Sequence, residues 1–449
     1  MGKRNEVSPT AIVDTSKHEA ITPPKKHFKG KCKKRNCKSK SEEAQQKNTI
    51  LQLLEGICSS LTDTRIHTKD YKYSLRDIAI AVAVAKLRGS EKIKDIHTFI
   101  KANILFFRQI GLFTNKEAKG RYPSLVTLYR LVKRISQTEL RQRFYDAIQK
   151  MFVGKSKEPS VIAVDGKCMR GTSCGERNKP INILTALLTD SKVPIMAESC
   201  DEKSNEIKAW RILLDNLKGK LEGEIFTADA MGCQTHIVQK IRNMECHYCL
   251  AVKDNQLNLE KDIETQIKYT KPTDAYREPV CISHGRIEYR ICEVYDVKDK
   301  YGCSYIENYE KWQDIKTVIR IKAYRADKKN GTDYGVEERF YISDLELSAK
   351  EFNSIVRSHW GVEAFHNVLD TTYRQDATIR MNDKDGASSA NIDTFQKIAY
   401  VSTVIYKTIL TKLPRVKIIL GIRDIMIKCN ASIRELKRIL NIDISPAFA

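Results

Sequence analysis

Long apolar runs are missing from this sequence. The most apolar stretch, Ile78 to Val84, falls far short of the roughly 20 residues a membrane-spanning helix needs, and it reads as a buried helix. No apolar segment follows the first basic residues, so no secretory leader is expected. A paired disulfide framework is missing too. The 13 cysteines are an odd count scattered through a large chain, which predicts reduced thiols in a cytoplasmic protein. No internal repeat is found, so a solenoid or array is excluded. Negative charge is in short supply: 56 Asp and Glu stand against 78 Lys and Arg in 449 residues, leaving +22. Such an excess repels itself in a compact state and is most readily offset by a polyanion, so nucleic acid is the expected partner class.

What is present is organised in blocks. Residues 1–47 are polar and basic, with 13 Lys and Arg against 5 acids, and read as a flexible arm. His27, Cys32 and Cys37 within it fit no standard zinc spacing. Residues 48–153 turn helical. Leu75, Ile78, Val82 and Leu87 recur near helical spacing, and Tyr122-Pro123-Ser124 opens a further helix through Leu125, Leu128, Leu131, Val132 and Ile135. From 158 to 400 the period changes. Val161–Val164, Ile181–Leu188, Val193–Glu198, Glu224–Ala228 and Tyr248–Val252 read as strands, with helices over Ser204–Leu217 and Thr235–Arg242. That order predicts an α/β layer arrangement. Alternating runs between about 257 and 345 predict a strand-rich insertion. Helix returns from about Ala349, and residues 401–449 read as a C-terminal helical tail.

Two aspartates, Asp165 and Asp229, directly follow apolar strands, and sites in open α/β sheets form beyond the carboxyl ends of strands. Carboxylates brought together there suit a hard divalent cation such as Mg²⁺. A third acid, Glu363, lies in a helix whose neighbours Trp360, Val362 and Phe365 have the character of buried residues. Strand-end aspartates also commonly cap the next turn, so pattern alone leaves both readings open. A string of Cys233, His236, Cys246 and Cys249 has a zinc-like order. It is set aside because Cys249 falls in an expected buried strand, where a small apolar residue belongs.

Ordered motifs carry the reading further. Val164-Asp165-Gly166-Lys167-Cys168-Met169-Arg170-Gly171 resembles the DGK-x-x-RG motif of the H-repeat-associated insertion-sequence transposases, a DDE family. Asp201–Ile207 reproduces that family's DEKSNEI, Asp229–Gln234 its DAMGCQ, and His284–Glu288 its HGRIE. Tyr248–Gln256 resembles Y-x-LALKGNQ with Asp254 in place of glycine, and Arg339–Leu345 is similar to RYYISSL. Pro123-Ser124-x-x-Thr127-x-x-Arg130 resembles a motif of the preceding helical domain. The family's Arg-x-His-Trp-x-Ile-Glu segment reads here Arg357-Ser358-His359-Trp360-Gly361-Val362-Glu363. The likeness runs from about 70 to 400. The spacing beyond Glu363 departs from the family pattern, so no role is carried to His366, Asp370 or Asp376.

The resemblance implies a ribonuclease H-like mixed sheet with flanking helices, an N-terminal helical domain and a strand-rich insertion before the last catalytic helix. It implies that Asp165, Asp229 and Glu363 are catalytic and bind two Mg²⁺ or Mn²⁺ ions. The implied activity is cleavage of double-stranded DNA at transposon terminal repeats and strand transfer into target DNA, by a homodimer on DNA located in the cytoplasm at the nucleoid. Lys167, Arg170, Lys203, Arg286 and His359 are then expected to contact DNA, and Trp360 to pack beneath Glu363. Two rival readings keep the fold: a DNA-binding descendant without chemistry, and a nuclease that cuts without joining.

Overall fold

The computed structural model describes residues 48–65, 72–118, 121–155, 158–173, 179–200, 206–283, 285–329, 333–378, 387–413 and 420–448. All of these fall within one compact unit, Gln46–Ala449. The basic arm and the first five residues of the Asp201–Ile207 motif lie outside them.

Six helices come first: α1 (Ile50–Cys58), α2 (Leu75–Leu87), α3 (Ile93–Ala102), α4 (Ile104–Gln109), α5 (Leu125–Arg134) and α6 (Gln137–Phe152). Four of their starts are written in the sequence. Ser74, Ser124 and Ser136 each accept a backbone N–H three residues on, and Thr49 with Gln52 forms a reciprocal capping box. Helix α2 is buried on all sides, which explains its continuous apolar run.

Lys86 is buried among these side chains and donates to the Glu91 carbonyl at 2.7 Å. Burial pushes its ammonium down to about 8, with Asp95 and Glu91 opposing. The folded chain therefore holds this proton less tightly than the unfolded chain, and this one group makes stability rise with pH from about 8 to the ordinary lysine range near 10.4. Lys86→Met removes that dependence. Its Tm relative to wild type is expected to be highest at pH 7 and to fall by several degrees by pH 10, as thermal unfolding across that range would show.

The sheet follows: β1 (Val161–Met169), β2 (Ile181–Leu188), β3 (Val193–Cys200), α7 (Glu206–Leu217), β4 (Ile225–Ala228), α8 (Thr235–Arg242) and β5 (His247–Val252). Strands β1, β2 and β3 pair antiparallel, while β1, β4 and β5 run parallel. Next come α9 (Leu257–Tyr269), β6 (Asp274–Arg277), β7 (Cys281–Ser283), β8 (Arg286–Asp296), β9 (Thr317–Asp327) and β10 (Asp333–Ser343). The result is one ten-stranded sheet in the order β3-β2-β1-β4-β5-β10-β9-β8-β6, with β7 on β8, in a mixed α/β architecture. The strand-rich stretch thus extends the main sheet, because β10 pairs antiparallel with β5. It also opens on a helix, α9, which buries Leu259 and Ile263.

Helices α10 (Ala349–Ser358), α11 (Trp360–Thr371), α12 (Gln375–Thr378), α13 (Ala387–Lys412), α14 (Ile422–Ala431) and α15 (Ile433–Leu440) complete the chain. Helix α13 crosses residue 401 without a break and packs on α2 and α6, and the Ile444 N–H donates to the Asn48 carbonyl at 2.8 Å. The chain's last helices therefore share one apolar core with its first. Among the described residues no helix is long and apolar enough to cross a membrane.

Candidate active site at the strand ends

Parallel pairing sets the site. Val164 of β1 lies opposite Ala228 of β4, so Asp165 and Asp229 are the next residues out at one level of two adjacent strands. Strand β4 stops there, and Asp229 begins a single 3-10 turn, accepting the Met231 N–H at 3.1 Å. The capping and functional readings of Asp229 are thus compatible, since one carboxylate oxygen serves the turn. Strand β1 continues, with Asp165 opposite Thr185 of β2.

The motif glycines are explained by close approach. A Cβ on Gly232 would lie 2.5 Å from the Ala228 Cβ and 3.0 Å from Cζ2 of the buried Trp210. One on Gly166 would overlap the Glu206 carboxylate, and one on Gly171 the Asp376 carbonyl oxygen. The glycines of the motifs at 165–171 and 229–234 therefore let α7 and α12 close onto the strands that carry the acids.

Helix α11 supplies the facing side. Val362, Phe365 and Leu369 bury its inner stripe. His359, Glu363, His366 and Asp370 recur at spacings of four, three and four, one neighbouring face of the helix. His366 Nδ1 lies 3.3 Å from Asp165 Oδ2, and His359 Nδ1 lies 3.0 Å from the Thr227 hydroxyl. For the first contact to attract, Nδ1 of His366 must carry the proton. Its Nε2 is buried without a hydrogen-bond partner. A cavity of about 400 Å³ opens between the strands and the helix, walled by Thr227, Asp229, Arg339, His359, Trp360 and Glu363.

Charge in this space is not self-cancelling. Burial and then the Asp165 charge push the Glu363 carboxyl above its ordinary range, against Arg339 and His366. Burial holds the His359 imidazole below its usual range, with Arg339 and His366 adding to this and Asp165 opposing. A carboxyl raised by a neighbouring carboxylate in this way is what a divalent cation relieves, and oxygen-only donors suit Mg²⁺ or Mn²⁺. The residues fit such an ion in chemistry. Their spacing is open: among the described residues, no three His, Cys, Asp or Glu side chains are gathered closely enough to hold one.

The basic residues named from sequence fare differently. The Lys167 ammonium is held by Asp370 and Gln375, with Asp376 at 3.9 Å, so it joins β1 to α11 and α12. Asp370 and Asp376 thereby acquire a part that sequence spacing left open. Arg170 is exposed, and its backbone N–H donates to Asp376 at 3.2 Å. Arg286, at the outer end of β8, is exposed but is not brought to the acids. The register runs Val252, Phe340, Arg320, Glu293 across the sheet, which puts Arg286 seven residues, about 23 Å, beyond the end of β5. Lys203 lies outside the described residues.

Trp360 does not pack beneath Glu363. It is 45% exposed, with the Arg290 guanidinium 5.6 Å from its ring, because it opens α11 three residues before Glu363 and points outward with it. Arg339 and Arg290 are site neighbours that sequence reasoning missed. Arg339 begins the segment resembling RYYISSL, which was the available signal.

Comparison with known proteins identifies the family. Residues 156–386 match the family described as "Transposase DDE domain". The chain is 31% identical over 338 residues to "Putative transposase YncI" of Escherichia coli O157:H7, covering 74% of this chain and 82% of that protein. It is 32% identical over 335 residues to "H repeat-associated putative transposase YhhI" of Escherichia coli K12, covering 73% and 84%. A solved piggyBac transposase synaptic complex with hairpin DNA aligns at a TM-score of 0.43 and 9% identity, covering 88% of this chain and 79% of that one. At that distance the likeness says nothing about function. The chain belongs to the transposase DDE-domain family, together with the H repeat-associated proteins of Escherichia coli.

Proposed function

We propose that this transposase cuts double-stranded DNA at the terminal repeats of its element and joins the freed ends to target DNA, using Asp165, Asp229 and Glu363. The observation that carries the reading is the placement of two aspartates at one level of adjacent parallel strands, with Glu363 facing Asp229 across a cavity and feeling the Asp165 charge. The order β3-β2-β1-β4-β5, with the first three strands antiparallel, supports a ribonuclease H-like core. The three carboxylates would hold divalent metal ions, Mg²⁺ or Mn²⁺. When bound, these supply electrostatic stabilisation to a phosphodiester undergoing in-line displacement. The chain's part is positioning. His366 orients Asp165, the Met231 N–H orients Asp229, and the stripe of Val362, Phe365 and Leu369 fixes the helix that presents Glu363. Arg339, which lines the cavity paired with Glu337 at 2.7 Å, would meet a phosphate entering there. Two ends must be held together, so a homodimer on DNA is expected.

The test is incubation of the purified chain with a labelled duplex ending in its element's terminal repeat, with Mg²⁺, Mn²⁺ or EDTA. Metal-dependent cuts at the repeat boundary followed by joined products are expected. Cuts without joining would favour a nuclease. Binding without cutting under either metal would favour a DNA-binding descendant and sink the assignment of Glu363.

Lys167 gives a second test. As a brace between β1 and α11 it sets the distance between Asp165 and Glu363. Lys167→Met is expected to slow cleavage by about tenfold or more, yet leave DNA affinity and its salt slope unchanged. A phosphate-binding lysine would instead lower that slope by about 1 when removed. The exchanged pair Lys167→Asp with Asp370→Lys should recover part of the rate.

A further inference from the structure

We infer that the outward face of α5 is the element that reads base edges in the terminal repeat, an inference that rests on the proposed function. Helix α5 is anchored through one side and one end. Leu128, Leu131 and Val132 are buried, and the Asn391 side-chain amide on α13 donates to the Ile135 carbonyl at 2.8 Å. The other side faces outward. Leu125 is 37% and Val126 57% exposed in the first turn, followed by a half-buried Tyr129 and exposed Arg130, Lys133 and Arg134. Among the described residues, none covers these two adjacent aliphatic side chains at the helix start.

Charge selects the occupant. Between residues 119 and 136 the sequence holds Lys119, Arg121, Arg130, Lys133 and Arg134 and no acid. The aromatic residues beside the face carry lysines: the Lys133 ammonium lies 5.7 Å from the Tyr129 ring, and that of Lys101, on α3, 5.7 Å from the Tyr122 ring. An apolar protein partner would not require a strip without acids, whereas duplex DNA does. A helix laid in the major groove meets base edges with its first turn, and apolar side chains there contact thymine methyls. Cations further along meet the flanking phosphates. By this division Leu125 and Val126 contribute selectivity, and Lys133 and Arg134 contribute affinity.

The experiment uses the full chain with two labelled duplexes, the element's own end and a scrambled duplex of equal length and composition. Binding is followed by fluorescence anisotropy across salt concentrations. The double variant Leu125→Ser/Val126→Ser is expected to weaken binding to the end about tenfold or more, with little change on the scrambled duplex. Lys133→Ala/Arg134→Ala should weaken both duplexes and lower the salt slope by about 2. All four side chains lie at the surface, so Tm should move little beside these changes in affinity. If the serine variant keeps the wild-type ratio of end to scrambled affinity, α5 does not read sequence, and the transposase reading stands without it. A change from dimer to monomer by light scattering, at an unchanged ratio, would assign the face to a second copy and overturn the inference. Wild-type protein that fails to prefer the end at all would overturn both readings together.

Discussion

Asp229→Asn is expected to reduce metal-dependent cleavage by at least about a thousandfold while leaving DNA binding within twofold of wild type. Asparagine keeps the size of the side chain and an oxygen able to accept the Met231 N–H, so the turn that follows β4 should survive. What is lost is the charge. An ion held there contributes several kcal/mol of transition-state stabilisation, and about 4 kcal/mol corresponds to a thousandfold in rate. Asp165→Asn and Glu363→Gln should behave alike, and any double variant should fare little worse than a single one, because ligands of one centre fail as a unit. A variant that still cuts within tenfold of wild type would remove Asp229 from the site.

Stability supplies an independent readout of the same change. The Glu363 carboxyl is raised above its ordinary range by burial and by Asp165, so its ionised form costs the folded state something. That cost is absent at low pH and complete above the folded-state pKa. Metal-free Glu363→Gln protein should therefore be no less stable than wild type at pH 7. Excess Mn²⁺ should raise the wild-type Tm, through preferential binding to the folded chain, but not that of the variant. A simple folding defect would lower Tm in both conditions.

The strands that carry the acids were legible as short apolar runs meeting a polar residue, which ends β4 at Asp229 but not β1, whose pairing with β2 carries it through Asp165 to Met169. The face of α11 was legible in part, through its buried stripe at Val362 and Phe365. What sequence could not give is who meets whom across large separations. Lys167 looked like a free cation because its partners Asp370 and Gln375 lie more than 200 residues along the chain. Trp360 looked buried because aromatic residues usually are, yet burial depends on which side of α11 meets the sheet. Strands β8, β9 and β10 were visible by alternation, but alternation does not say which sheet a strand joins. Their pairing through β5 is a tertiary outcome. Helix α9 was overlooked at Leu257–Tyr269 because it sits at the start of a stretch dominated by strands.

Two glycine substitutions to the same residue are expected to have opposite signs. Gly171 ends the motif that begins at Asp165, and a Cβ there would overlap the Asp376 backbone carbonyl. Backbone cannot rotate aside as the tip of a side chain does, so Gly171→Ala must push α12 away from β1. Overpacking of this kind costs about 1–3 kcal/mol. The displacement would reach the site, because Asp376 and its neighbour Gln375 lie beside the Lys167 ammonium that α11 also holds through Asp370. Cleavage should therefore fall together with Tm. Gly56, in the last turn of α1, has nothing within 4 Å of its would-be Cβ. There Ala only restricts the unfolded chain and favours helix, so Gly56→Ala should stabilise by up to about 1 kcal/mol and leave cleavage alone. Thermal unfolding of both variants beside the cleavage assay decides the matter. Equal and small effects at the two positions would mean that α12 does not close onto β1 as described, and the brace between Asp165 and Glu363 would lose its support.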